Sequence, residues 1–167
     1  MSDPVLPYST AKGYVQSAFL LMTNEIRFQA PDDSSFYLSF HMLLGFAMEL
    51  YLKSFLLQNG YEEKALRAAG VRHDLSKLLE MAEAKGLKER GAVTLVDLLS
   101  EHHRSFGFRY TKAESEYPII NLQRVFEAFS SLDLAVDTVI GASVAHGKRP
   151  RGSWDFPNDF RKIWRFS

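Results

Sequence analysis

Residues 34–60 read Ser34-Ser35-Phe36-Tyr37-Leu38-Ser39-Phe40-His41-Met42-Leu43-Leu44-Gly45-Phe46-Ala47-Met48-Glu49-Leu50-Tyr51-Leu52-Lys53-Ser54-Phe55-Leu56-Leu57-Gln58-Asn59-Gly60, and this stretch decides the fold. Asp32, Asp33 and Ser34 offer capping oxygens at its start, and Gly60 occupies the position just past a helix end where a left-handed residue is wanted. Between them Phe36, Leu38, Phe40, Met42, Leu43, Leu44, Phe46, Met48, Leu50, Leu52, Phe55 and Leu56 leave little polar surface on any side. A helix that is apolar nearly all round is normally buried, so this one predicts the centre of a domain.

The flanking segments supply helices to surround it. Upstream, Ala11, Tyr14, Val15, Ala18, Leu21, Met22 and Ile26 recur at helical spacing after a cap at Ser9 or Thr10, and Pro31 closes the segment. Downstream, Leu75, Leu78, Leu79 and Ala82 mark a short helix opening near Asp74 and closing before Gly86. Ala92, Val93, Leu95, Val96, Leu98 and Leu99 mark another, which breaks around Gly107. After Pro118, Leu122, Val125, Phe126, Phe129, Leu132, Val136, Val139 and Ile140 step by three and four.

Nothing alternates long enough to form a strand, although residues 106–111 could be locally extended. There is no internal repeat and no low-complexity segment, and the joints are short. The expectation is all-α: one up-and-down bundle of about five main helices plus a short C-terminal helix, with residues 1–167 as a single domain.

Composition fits that expectation. Of 167 residues, 46% are hydrophobic and 24% charged, too apolar for a disordered chain. Twenty basic and twenty acidic side chains cancel, so any attraction to nucleic acid or acidic lipid has to come from a local patch. The absence of cysteine removes disulfides, thiolate metal sites and cysteine nucleophiles together and suits a reducing compartment. Met1-Ser2-Asp3-Pro4 carries no basic leader, which predicts no export and a cytoplasmic location. The longest uninterrupted apolar run, Met42 to Met48, is short of the roughly 20 residues of a membrane-spanning helix, so no membrane span is predicted.

Within the apolar helix His41, Gly45, Glu49 and Lys53 follow one another at steps of four and share one inclined row. This seam has two readings. Glu49 and Lys53 form an ordinary surface pair beside a glycine that admits a neighbouring helix, or the seam lines a cleft where carboxylate and ammonium meet a ligand.

A second polar group, Arg72-His73-Asp74, sits at a helix start, where Asp74 suits the cap. His73 there serves either as a general base or as a loop-fixing donor. Adjacent His102 and His103 project about 100° apart on a helix and cannot share an ion, so the sequence predicts no metal site. Phosphate-binding glycine loops are absent, no Ser-His-Asp arrangement can be read, and no cofactor is expected.

Residues 147–167 hold Lys148, Arg149, Arg151, Arg161, Lys162 and Arg165 against Asp155 and Asp159, a net +4 that leaves −4 on the rest. Trp154, Phe156, Phe160, Trp164 and Phe166 are interleaved with these charges, a pattern suited to phosphate contact and base stacking. The same aromatics, with Ile163, have the spacing of a last helix docking on the core or on a partner subunit after Pro157.

The segment Phe46-Ala47-Met48-Glu49-Leu50-Tyr51-Leu52-Lys53-Ser54-Phe55-Leu56-Leu57, followed by His73-Asp74-Leu75 and later Phe108-Arg109-Tyr110, resembles the HEPN family. The resemblance extends over about residues 9 to 140 as a helix pattern. It implies a helical bundle that pairs into a homodimer, often in toxin–antitoxin or phage-defence settings. Some members are metal-independent endoribonucleases and others are silent binding modules.

Active members carry an Arg, often followed by Asn, with four to six residues between that Arg and a His. Here Ala145-His146-Gly147 is the nearest late match, and Val139, Ile140 and Gly141 stand where the Arg belongs. Arg67 and His73 meet the bare spacing, but outside the late segment.

The expectation is therefore a non-catalytic module binding RNA, a nucleotide or a protein partner. Its candidate contacts are His41, Glu49, Lys53, His73, Asp74, Arg109 and Tyr110, or the tail through Lys148, Arg149, Arg151, Trp154, Arg161, Trp164 and Arg165. One alternative is an endoribonuclease using His146 with Arg104, Arg109 or Arg149 to neutralise phosphate. Another is a purely structural interaction subunit.

Overall fold

The computed structural model describes residues 3–109, 118–152, 154 and 162–167. It is 70% helical and has no strand among the described residues. The helices are α1 (Val5–Thr23), α2 (Ser34–Gln58), α3 (Glu63–Leu66), α4 (Leu75–Ala84), α5 (Arg90–Arg104), α6 (Leu122–Ile140) and α7 (Ala142–Ala145), with short 3-10 turns at Glu25–Gln29 and Gly107–Arg109. The five longer ones are α1, α2, α4, α5 and α6, in line with the expected bundle.

Helix α2 is the hub and packs against α1, α4, α5 and α6. Its residues Phe40, Leu44, Ala47, Met48, Tyr51, Leu52 and Leu56 are fully buried among these four neighbours. By length and composition α2 could cross a membrane, a property hidden from a search for uninterrupted apolar runs. Yet 67% of that apolar window lies inside the protein, so the bundle itself takes up its apolar faces. Gly60, with φ +88°, ends it in the expected left-handed conformation.

The outer helices are one-sided. α4 buries Leu75, Leu78, Leu79 and Ala82, and α5 buries Ala92, Leu95, Val96, Leu98, Leu99 and His103. α6 closes the bundle by packing on α1, α2 and α5. Phe126 meets Phe19 and Phe40 edge to face in the middle, at centroid separations of 5.1 and 6.0 Å.

Several boundaries differ from those the sequence predicts. Helix α1 begins at Val5, where Pro4 sets a helical φ of −74° and Asp3 Oδ1 accepts the Val5 N–H at 2.9 Å. Ser9 and Thr10 therefore lie inside the helix, and Thr10 donates to Leu6 O. Pro7 falls in the first turn, where its missing N–H would have had no helical partner.

The same helix stops at Thr23 rather than near Pro31, because Asn24 turns extended and its side chain caps the 3-10 turn that follows. Ile26 is consequently exposed. Asp33 precedes α2 without capping it; its carboxylate points inward. Residues 106–109 form a turn and a 3-10 turn instead of an extended segment.

A buried ion-pair network joins the α1–α2 connection to the end of the chain. Arg27 Nε and Nη2 donate to Asp33 at 2.9 and 2.6 Å, and both side chains are fully buried. Arg27 also donates to Met22 O and Ile163 O. Arg165 completes the set, donating from its backbone N–H to Asp33 Oδ2 at 2.8 Å and from Nη2 to Oδ1 at 3.1 Å. Such a pair is fixed by hydrogen bonds as well as by charge, as burial of ions requires.

Candidate functional site

The seam on α2 is not a solvated edge. Glu49 keeps 8% of its side chain exposed and Lys53 14%. Glu49 Oε1 accepts Lys53 Nζ at 2.6 Å, while Oε2 accepts His73 Nδ1 at 3.0 Å and His103 Nε2 at 2.7 Å. Lys53 also donates to Arg72 O at 2.7 Å. One carboxylate thus joins α2, the loop before α4 and the last turn of α5.

Gly45 is what lets His103 reach it: a Cβ there would stand 2.5 Å from His103 Nδ1. Burial raises the Glu49 carboxyl, but donors from His103, His73 and Lys53 outweigh it and hold the pKa down to about 2. Glu49 is therefore held as a carboxylate that already accepts three hydrogen bonds, a weak base poorly suited to act as a general base.

Around this centre aromatic rings and cations alternate. Phe46 meets the His103 ring edge to face at 5.5 Å, and Phe106 meets His73 in the same way at 5.4 Å. The Arg109 guanidinium lies 4.5 Å from the Phe106 ring centroid and 5.7 Å from that of Phe46. Phe106 takes φ +57°, an uncommon conformation for a bulky residue, and stays half-buried between His73 and Arg109. Exposed Arg72, Arg104 and Arg109 rim the cluster, with Arg104 3.5 Å from Asp74.

The other sequence-predicted residues divide clearly. Asp74 is the α4 cap, its Oδ1 accepting the Lys77 N–H at 2.9 Å. His41 belongs to the core: Nδ1 lies 2.8 Å from Tyr37 O, and the ring stacks with Tyr37, Phe108 and Trp164. Burial pushes its pKa down to about 4, so it is neutral and forms no part of the ionic cluster. Tyr110 and Arg161 lie outside the described residues.

In the tail, Trp154 is buried, with its backbone N–H on Ser130 Oγ. Trp164 is half-buried on Tyr37 and Phe40 and donates to Ile120 O. With Arg165 on Asp33, these three side chains hold the fold rather than facing solvent as a stacking platform. Of the last helix expected through Phe156, Phe160, Ile163 and Trp164, residues up to 161 lie outside the described residues, and Ile163 and Trp164 are not helical. Lys148, Arg149 and Arg151 are exposed. His146 is exposed at the end of α7, and among the described residues no hydrogen bond or ion pair engages its side chain.

Two groups escape the sequence reading. His103 is one. The other is a buried pair of acids on α6, where Asp133 accepts Tyr51 OH at 2.7 Å and Lys12 Nζ at 2.9 Å, and Asp137 accepts the Ser143 N–H at 2.9 Å. Burial and then the Asp133 charge raise the Tyr51 and Tyr8 hydroxyls well above their ordinary range, so both stay neutral, Tyr51 donating to Asp133 and Tyr8 accepting from Lys12.

The α1, α2 and α3 segments also border a groove of about 490 Å³ lined by Leu6, Pro7, Leu50, Leu57, Lys53 and Arg67 among others, which places Lys53 between the groove and the Glu49 cluster. No family model, curated protein or solved structure matches the chain.

Proposed function

We propose that this chain is a HEPN-like, non-catalytic binding module that takes RNA along the Lys53–His73–Arg109 side and works as a homodimer in a toxin–antitoxin or defence setting. The observation that carries the RNA reading is the Phe106–Arg109 platform beside His73, rimmed by Arg72 and Arg104. Guanidinium planes and half-exposed rings side by side are what single-stranded bases and phosphates use. Non-catalysis is supported by the three donors that already engage Glu49 and by the lack of an arginine at residues 139–141, ahead of His146.

The test is a gel with labelled single-stranded RNA in EDTA. A salt-sensitive shift without cleavage is the expected result, with Arg109→Ala lowering the slope of log affinity against log salt by about 0.7, the share of one phosphate contact. Cleavage that disappears in His146→Ala would replace this reading with the endoribonuclease. No shift at low salt would leave the structural interaction subunit, a reading that the apolar groove beside exposed Leu6 also supports.

A further inference from the structure

We infer that Glu49, His73 and His103 form a three-ligand site for one divalent cation of the zinc class. The donors are Glu49 Oε2, His73 Nδ1 and His103 Nε2, which all lie within 4.8 Å of one another. They converge from positions 24 and 54 residues apart in the chain.

Two imidazoles and one carboxylate are a donor set that zinc, cobalt and nickel accept, with a fourth position left to water. At metal–ligand bonds of about 2.1 Å, tetrahedral donors stand roughly 3.4 Å apart. The Oε2 contacts are now 3.0 and 2.7 Å, so the cation enters by opening them toward roughly 3.4 Å and taking the place of the two N–H bridges. Each neutral ring keeps its proton on the nitrogen away from the ion.

The surroundings suit this occupant. Lys53 holds Oε1 and so directs Oε2 alone toward the imidazoles, a neighbour that orients a ligand in the way metal sites use. Its charge opposes the cation and sets a moderate rather than extreme affinity. Phe46 and Phe106 wall the two rings, while His73, with 29% of its side chain exposed, gives the ion a route from solvent. The glycine at position 45 is the strongest sign of a built site. A mid-helix glycine is unfavourable relative to alanine, and here it clears room for a single imidazole over the carboxylate.

The full chain, stripped with EDTA and dialysed, is titrated with Co²⁺ while the visible absorption of four-coordinate cobalt is followed, and then with Zn²⁺ as competitor. One equivalent of Co²⁺ and its stoichiometric displacement by Zn²⁺ are expected. His73→Ala should weaken both by about 100-fold or more, since it deletes a ligand rather than an outer partner. The His73 ring is part-exposed, and an unchanged circular dichroism spectrum verifies that the variant is folded; Glu49→Gln, which keeps the side-chain shape, should behave alike. His102→Ala and His146→Ala should bind as the parent does. The inference fails if no saturable cobalt spectrum develops, or if His73→Ala and Glu49→Gln bind as tightly as the parent. It is independent of RNA binding, since cobalt can bind a protein that shifts no RNA.

Discussion

Asp33→Ala is expected to destabilise the protein by about 3–5 kcal/mol, measured as a lower urea midpoint at unchanged slope, because it leaves the Arg27 guanidinium buried and without its carboxylate. The loss is local in origin but not in reach. Asp33 ties the α1–α2 connection to Arg165, so the chain end and Trp164, which covers Tyr37 and Phe40, should come loose together. Accelerated proteolysis near residue 165 checks that second effect. Replacing Arg27 and Asp33 together by apolar residues of similar volume should cost much less than Asp33→Ala alone, since no unpaired ion is left behind.

The same carboxylate sets part of the acid sensitivity. Burial raises the Asp33 carboxyl, but hydrogen bonds from Arg27 and Arg165 overcome this and hold its pKa below the ordinary value. A depressed folded-state pKa contributes stability that is complete above the unfolded value of about 3.9 and is lost as pH falls through the folded one. Urea midpoints compared at pH 6 and pH 3 should therefore fall for the parent protein, and fall less for Asp33→Asn, which has no carboxyl to protonate.

Sequence reading reached the fold because α2 announces itself: a helix without a polar face has no stable place except the middle. The amphipathic helices follow from the same physics. Boundaries failed where a short-range competitor won. Asn24 diverts α1 into a 3-10 turn, and the Asp3–Pro4 pair starts it earlier than Ser9 or Thr10 could.

The candidate site was half legible. Glu49 and Lys53 share a helix row, and His73 sits at a recognisable helix start. His103 was masked by its neighbour His102, although it continues the buried series Ala92, Val96, Leu99 by one more turn. Asp133 and Asp137 likewise extend the row of buried Phe129, so their burial could have been read from periodicity. Nothing local could reveal that Arg165 reaches Asp33 from 132 residues away, or that Trp154 packs inward. Those are consequences of three-dimensional closure.

Glu49→Ala should be the second large perturbation, about 2–4 kcal/mol, because hydrogen bonds to charged groups count for more than neutral ones and three donors lose their acceptor at once. The comparison with Gly45→Ala isolates the role of geometry. Gly45→Ala keeps every charge, gains about 1 kcal/mol of helix propensity, and drives a methyl into the His103 ring, which must rotate away from Oε2. If the cluster is a local ornament, that propensity gain dominates and the variant is at least as stable as its parent. If the carboxylate clamps α5 and the loop before α4 onto α2, Gly45→Ala loses stability despite the gain. The clamp then predicts non-additivity: Glu49→Ala combined with Gly45→Ala should cost less than the sum of the two, since both remove the same His103 contact. Urea denaturation of the four proteins measures that coupling directly, and full additivity would break the link between Gly45 and the clamp.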